Sequence, residues 1–124
     1  MFKSLMNDTT EYLKKLHQAT HSISDLFYGE PDAEAWTYFS QLAEGLQFTV
    51  QSVQVLETSI RQKNDDIMLL KSMEDFLRSL PQFLQDLEQA VASQDHVLTA
   101  DLIKYEIGDL VKELLTVMES KVSS

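Results

Sequence analysis

Two histidines one helical turn apart are the strongest candidates for a metal-binding or reactive site in this sequence. His17 and His21 are four positions apart, and imidazoles at this spacing on one helix can chelate a transition metal. A metal needs a third ligand, which Asp25 on the same helical face could supply. An exposed helical histidine is also what a phosphoryl-accepting bundle uses. The competing interpretation is a pair of surface histidines with no bound group.

Other catalytic patterns do not occur in the sequence. It has no Cys for a nucleophile, and its three glycines are isolated, so no phosphate-binding loop is formed. It also lacks a Gly-x-Ser-x-Gly motif and the Glu-x-x-His pairs of di-iron bundles. Glu57 falls on a core-facing angle, yet it can pair with Arg61 four residues on. We therefore expect that the protein is not an enzyme and that it binds no cofactor or metal.

Charge and composition narrow the class of partner. The 124 residues include 20 acidic and 10 basic side chains, for a net charge of -10, and 44% are hydrophobic. This length predicts a single domain over residues 1–124. An acidic chain excludes nucleic acid and anionic membranes as partners, because both need clustered Lys and Arg. With no Cys and no targeting segment visible, we expect a cytoplasmic location.

Four helices are predicted, over residues 2–28, 32–62, 66–92 and 95–121. Gly29 is expected to close the first helix in the left-handed conformation, and Asp32 to cap the second. Asp65 or Asp66 is expected to cap the third. The break around residues 93–95 is the weakest of the three.

Apolar residues recur at steps of three and four along each segment, and none alternates with period two as a strand would. The expected fold is an all-α, antiparallel up-down-up-down four-helix bundle. The predicted core stripe of the first helix is Phe2, Leu5, Thr9, Tyr12, Leu16, Ala19, Ile23 and Leu26. That of the second is Ala35, Phe39, Leu42, Leu46, Thr49, Val53, Leu56 and Ile60. The third is Leu70, Met73, Leu77, Leu80, Leu84, Leu87 and Val91, and the fourth Ala100, Ile103, Ile107, Leu110, Leu114 and Val117.

Pro81 falls inside the third segment. It removes one backbone donor and crowds the Leu77 carbonyl. Since the apolar spacing continues in phase past it, we expect a kinked helix, with a break near Ser79 and five helices in total as the alternative.

A second apolar stripe on the fourth helix points away from the core. Leu98, Leu102 and Tyr105 follow i, i+4, i+7 spacing on the side opposite Ile103. A helix that is apolar nearly all round must be covered. Either the aromatic-rich turn between the first two helices covers this stripe, or a partner does.

On the second helix, Phe48 and Val55 also face away from the predicted core. Gly45, Ser52 and Ser59 share that face and would let another helix approach closely. A homodimer seam is one interpretation, and two scattered exposed hydrophobes the other.

These observations favour a non-enzymatic protein-interaction module, adaptor- or chaperone-like, that binds itself or a partner helix through Leu98, Leu102, Tyr105, Phe48 and Val55. The alternative is a metal-binding or phosphoryl-accepting protein built on His17 and His21.

Overall fold

A computed structural model describes residues 2–63 and 66–122, and it contains four helices and no strand within them. The all-α fold class is confirmed. The first three helices are continuous, while the fourth changes geometry along its length. The bounds are α1 Phe2–Phe27, α2 Ala33–Lys63 and α3 Ile67–Ala92, followed by a fourth helix made of α4 His96–Asp101, a π-helical segment Leu102–Ile107 and α5 Gly108–Val122.

The helices pack as a bundle around one core. The backbone of α1 lies next to that of α2, α2 next to α3, α3 next to the fourth helix and the fourth helix next to α1. Across the two diagonals of the bundle, no Cα atoms of the described residues come within 8 Å of each other. At one end, the Lys63 ammonium lies 4.8 Å from the centre of the Phe2 ring. At the other end, the rings of Phe27 and Trp36 are 5.0 Å apart. No helix of the described residues is long and apolar enough to cross a membrane.

Aspartates begin three of the helices. The Asp32 carboxylate accepts a hydrogen bond from the Ala35 amide at 2.9 Å, which confirms this predicted cap. The Asp66 carboxylate accepts from the Leu69 amide at 3.1 Å, while Asp65 lies outside the described residues. Asp95 accepts from the Leu98 amide at 3.0 Å. Each carboxylate satisfies an amide that has no partner in the first helical turn.

The residue with a left-handed backbone conformation is Gln94, not Gly29 as predicted. No glycine in the described residues has a positive φ, so the expectation for Gly29 is wrong. Gln94 has φ 58° instead. Its amide donates to the Val91 carbonyl and the Asp95 amide donates to the Ala90 carbonyl, each at 3.0 Å. These two bonds are the Schellman ending of α3, which requires the left-handed conformation whichever residue occupies it.

The buried face of α1 is displaced from the predicted stripe. Leu26 is 41% exposed, whereas its neighbour Phe27 is fully buried. The stripe was misplaced because hydroxyl-bearing residues interrupt the true buried face. The hydroxyls of Thr10, Thr20 and Ser24 donate to carbonyls three or four residues back, so they can be buried without losing a partner. The buried residues are Met6, Thr9, Thr10, Leu13, Leu16, Thr20, Ile23, Ser24 and Phe27.

The predicted stripe of α2 is confirmed, with Phe39 half-buried and its other members buried. On α3 the buried face is turned toward Leu69, Phe76 and Ala90, and several predicted members are only half-buried. The fourth helix buries its predicted stripe except for half-buried Val117, and Val111 and Leu115 extend it.

Pro81 does not break α3. The helix runs uninterrupted from Ile67 to Ala92 with Pro81 inside it, and Pro81 itself is exposed. The five-helix alternative is therefore wrong. An exposed proline costs the helix a donor, yet Leu80 on its buried side is fully enclosed by the core and helps to hold the segment helical.

Adjacent truncations at the end of α1 test the corrected core. We expect Phe27→Ala to lower the free energy of unfolding by about 3–5 kcal/mol, because it empties a fully buried aromatic site. Leu26→Ala should cost about 1 kcal/mol or less, since much of that side chain already contacts water. Urea denaturation measures both. Equal losses would contradict the placement of the core face.

Replacing the left-handed residue tests the end of α3. Gln94→Gly should raise the free energy of unfolding by about 1 kcal/mol, because glycine adopts positive φ without the clash of a Cβ. Gln85, an exposed residue within the same helix, provides the matched control. Gln85→Gly should lower the same quantity by about 1 kcal/mol, since glycine disfavours a helix interior. A loss of stability in both variants would contradict the assignment at Gln94.

Candidate interaction surfaces

The exposed side of the fourth helix, together with Tyr28 from the turn after α1, forms one candidate site. We call it the α4 surface, and its residues are Tyr28, Leu98, Asp101 and Tyr105. Leu98 is 43% exposed and Tyr105 is 53% exposed. Leu102, the third member of the predicted stripe, is half-buried and packs against the core. The structure therefore keeps Leu98 and Tyr105 at the surface and turns Leu102 inward.

Polar contacts hold the aromatic residues of the α4 surface in place. The Tyr28 hydroxyl donates to the Asp101 carboxylate at 2.6 Å, and this bond raises the pKa of Tyr28 to about 12. The Lys104 ammonium lies 5.3 Å from the Tyr105 ring centre and 6.0 Å from that of Tyr28. A cation near two aromatic rings is attracted to their faces. The site thus combines fixed aromatic rings with a carboxylate and an ammonium.

The turn between α1 and α2 covers part of the fourth helix, as one of the two interpretations expects. The rings of Trp36 and His96 are 6.3 Å apart, and Tyr28 reaches Asp101. His96 Nδ1 is buried with no hydrogen-bond partner. The coverage does not extend to Leu98 and Tyr105, so the interpretation in which the turn buries the whole stripe is wrong for those two residues.

A π-helical segment carries Leu102 and Tyr105, and sequence reasoning missed it. The Gly108 amide donates to the Ile103 carbonyl, five residues back, where an α-helix would use the residue four back. A Cβ on Gly108 would lie 3.1 Å from the Thr20 hydroxyl oxygen and 3.3 Å from the Ile103 carbonyl oxygen. Glycine at position 108 therefore permits the close contact with α1. π-Helical turns occur often at functional sites.

The outward side of α2 forms the second candidate site, which we call the α2 face: Phe48, Gln51, Ser52 and Val55. Phe48 and Val55 are each 56% exposed. The Phe48 ring meets Tyr12 of α1 edge-on, with ring centres 5.4 Å apart. On either side of this ring pair, the α1–α2 surface has hollows of about 540 and 520 Å³. Leu16 lines the floor of the larger hollow.

Gly45 does not lie on the α2 face, contrary to expectation. It is buried, and a Cβ built there would lie 2.7 Å from the Tyr12 hydroxyl and 3.1 Å from Leu16. The small residue therefore admits α1 of the same chain, rather than another molecule. Ser52 and Ser59, about two and four helical turns further along α2, are half-buried.

The stretch of α2 that carries this face has little charge of its own, and the charged side chains that line the adjacent hollows, Asp8 and Lys15, belong to α1. The 22 residues from Ala35 to Leu56 contain one charged side chain, Glu44, where the chain average of 24% would give about five. This depletion is visible in the sequence alone, but a search for pairs and motifs does not find it. It distinguishes the α2 face from the α4 surface, whose stretch Asp95–Asp109 holds four carboxylates and one lysine.

The two histidines lie side by side on α1. Their ring centres are 4.9 Å apart and the rings meet edge-on. Burial lowers the pKa of His17 below its usual value, and the neighbouring His21 and Lys112 add to this effect. No group of three or more potential ligands gathers around a metal position in the part of the chain that is described. The two histidines therefore lack a third metal ligand in the described residues. Both alternatives, the metal-binding and the phosphoryl-accepting protein, stay predictions.

Glu57 forms an ion pair. Its carboxylate lies 3.1 Å from the Arg61 guanidinium, which also reaches Glu74 of α3 at 2.7 Å. The pairing with Arg61 expected from the sequence is present, and it extends to the next helix. Glu57 thus contacts a cation at the bundle surface.

The lowered pKa of His17 gives a test by pH. Since the folded state disfavours the imidazolium, the neutral ring contributes stability that is present above its unfolded pKa of 6.5 and lost as the pH falls through the folded value. Between about pH 7.5 and about pH 5, the wild type should lose more free energy of unfolding than His17→Gln. Urea denaturation at both pH values measures the difference. Equal losses would contradict it.

Comparison with known proteins gives a family but no described activity. No curated protein and no solved structure matches the chain. A family model described as a domain of unknown function, DUF8042, matches residues 4–117, which include all four helices apart from a few terminal residues. Both candidate surfaces lie inside the matched range. The chain therefore belongs to the DUF8042 family.

Proposed function

We propose that the protein is a non-enzymatic interaction module, adaptor- or chaperone-like, whose α4 surface binds an apolar helical segment of a partner protein that carries basic residues. The observation that carries the proposal is the exposure of Leu98 and Tyr105 on a helix that already buries its opposite side in the core. A monomer gains nothing from apolar side chains on both sides of one helix, whereas a partner can cover them.

The partner's apolar side would meet Leu98 and Tyr105. Tyrosine offers a large contact area with few rotatable bonds, so little conformational entropy is lost when it is covered. Tyr105 is further fixed by Lys104, and Tyr28 by Asp101. Such prearranged aromatic groups are typical of residues that contribute most to binding energy at interfaces.

The partner's basic residues are inferred from the charge around the site. The stretch Asp95–Asp109 has a net charge of -3, from four carboxylates and Lys104. Asp95, Glu106 and Asp109 are exposed. Lys and Arg of an incoming helix would meet these carboxylates at the rim, where charge complementarity raises the association rate and selects the partner.

The support for a non-enzymatic role lies in how the candidate catalytic groups are arranged. Glu57, the one carboxylate with a core-facing angle, is paired with Arg61. His17 and His21 stack edge-on without a third ligand in the described residues. The cytoplasmic location expected from the sequence stays a prediction.

We also propose that successive helices alternate in direction and that α3 bends at Pro81. The start of α1 lies near the end of α2, through Phe2 and Lys63, and Arg61 near the end of α2 pairs with Glu74 near the start of α3. These contacts support an up-down-up-down order. A bend is supported by the donor that Pro81 lacks opposite the Leu77 carbonyl.

Photo-cross-linking in the cells that naturally express the protein tests the proposed function. A photoreactive phenylalanine derivative replaces Tyr105, and the matched control carries it in place of Gln82, an exposed residue of α3. We expect a covalent adduct with another protein from position 105 and none from position 82. The cross-linked segment of the partner, identified by mass spectrometry, should be apolar with flanking Lys or Arg.

A second substitution shows whether the adduct depends on the apolar contact. Leu98→Glu in the position-105 protein should reduce adduct yield at least about ten-fold, because it places a charge in the apolar centre of the contact. Gln82→Glu adds the same charge elsewhere and should leave the yield unchanged. Absence of any adduct at position 105, or one that persists with Leu98→Glu, would overturn the proposed function.

A further inference from the structure

The α2 face differs from the α4 surface in the partner that its chemistry fits. Phe48 and Val55 are exposed, seven residues and about 10.5 Å apart along the helix. Seven residues bring two side chains back to nearly the same side of a helix. They therefore form one apolar pair, with Gln51 and Ser52 between them.

The charge near Phe48 and Val55 distinguishes between two possible binding partners, a basic protein and a second copy of this chain. A partner rich in Lys and Arg would find one carboxylate of α2, Glu44, along the 22 residues from Ala35 to Leu56, and Asp8 of α1 in the hollow beside Val55. A second copy of this chain, in contrast to a basic partner, binds best where there are few carboxylates. Two molecules of charge -10 repel each other, so they can associate most favourably through the surface that brings fewest carboxylates together.

The face is also complementary to itself. A twofold axis that passes between residues 51 and 52 places Phe48 of one copy opposite Val55 of the other, and symmetry repeats the contact. The small side chain of Ser52 lies near the axis and allows the two helices to approach. Under the same symmetry the two Glu44 side chains are 15 residues apart along the paired helices, or about 22 Å. That distance exceeds the screening length of about 8 Å at physiological salt.

We infer that the α2 face is a self-association surface, through which two copies of this chain form a twofold-symmetric dimer with Phe48 and Val55 packed against each other near Ser52. The dimer leaves the α4 surface of each copy free. This inference does not depend on the proposed function, because the two surfaces share no residue.

Sedimentation equilibrium of the purified chain tests the inference. The wild type should approach the mass of two 14.2 kDa chains at concentrations up to about 0.2 mM. Phe48→Glu should weaken dimerisation at least about 100-fold, because two carboxylates enter the apolar contact. Val55→Glu is a second variant at the same contact. Tyr105→Glu, on the α4 surface, should leave the dimer intact.

A cysteine trap tests the symmetry directly, because the chain has no Cys of its own. Ser52→Cys should form an intermolecular disulfide on mild oxidation, since two sulfur atoms near a twofold axis can reach bonding distance. Ser40→Cys is exposed on the same helix but about 18 Å away along it, and should not.

The outcomes separate the two surfaces. A chain that sediments as a monomer throughout this concentration range overturns the dimer and leaves the proposed function untouched. A dimer that Tyr105→Glu dissociates, but Phe48→Glu and Val55→Glu do not, also overturns it and places self-association on the α4 surface. A dimer in which position 52 fails to cross-link while position 40 does so contradicts the twofold axis.

Discussion

Twenty acidic side chains against ten basic ones constrain where this bundle can make contacts. Several of the scarce basic residues bridge between helices. Lys14 of α1 lies 3.6 Å from Glu119 of α5, and Lys121 of α5 lies 3.1 Å from Asp66 at the start of α3. Arg61 joins α2 to α3. Exposed ion pairs of this kind contribute about 1 kcal/mol or less each, so their main effect is to place carboxylates next to cations rather than next to each other.

The core is built from apolar side chains of all four helices. It also contains buried hydroxyl groups that are hydrogen-bonded within their own helix. Thr10, Thr20 and Ser24 bury their side chains on α1 because each hydroxyl donates to its own helix. Thr49 does the same on α2, donating to the Gly45 carbonyl at 2.8 Å. A threonine that bonds to its own backbone behaves much like a small apolar residue. The bundle therefore has a wider buried surface than its apolar residues alone indicate.

The helix boundaries and one core stripe could be predicted from the sequence, whereas the buried hydroxyls of α1 hid its core face. The helix boundaries follow from Pro31, the aspartate caps and the three interhelical breaks, and the α2 stripe follows from its apolar spacing. The buried face of α1 could not be placed, because hydrophobicity alone ranks Leu26 with Phe27 and ranks Thr20 as exposed. The left-handed conformation of Gln94 accompanies two backbone hydrogen bonds that do not depend on the side chain, so the residue type does not reveal it. The π-helical segment ends where Gly108 packs closely against Thr20, a contact between distant parts of the chain that local sequence patterns do not indicate.

The candidate surfaces were predicted in part. Leu98, Tyr105, Phe48 and Val55 were identified by spacing and are exposed, but Gly45 faces α1, and Leu102 is half-buried against the core. The roles proposed for these residues rest on the charge distribution: an acidic rim suits a basic partner, and a helix face with little charge of its own suits a second copy. Dissolved salt weakens the attraction between the acidic rim and a basic partner. It also weakens the repulsion between two acidic copies of the chain.

The salt dependence of self-association shows whether two copies meet through surfaces of low charge or through opposite charges. Sedimentation equilibrium from about 20 mM to about 500 mM NaCl spans weak and strong screening. If the dimer joins neutral faces of two acidic molecules, its association constant should rise with salt, because screening removes the repulsion between the two charges of -10. An association constant that falls with salt would show that opposite charges hold the copies together, and would contradict a dimer formed through the α2 faces.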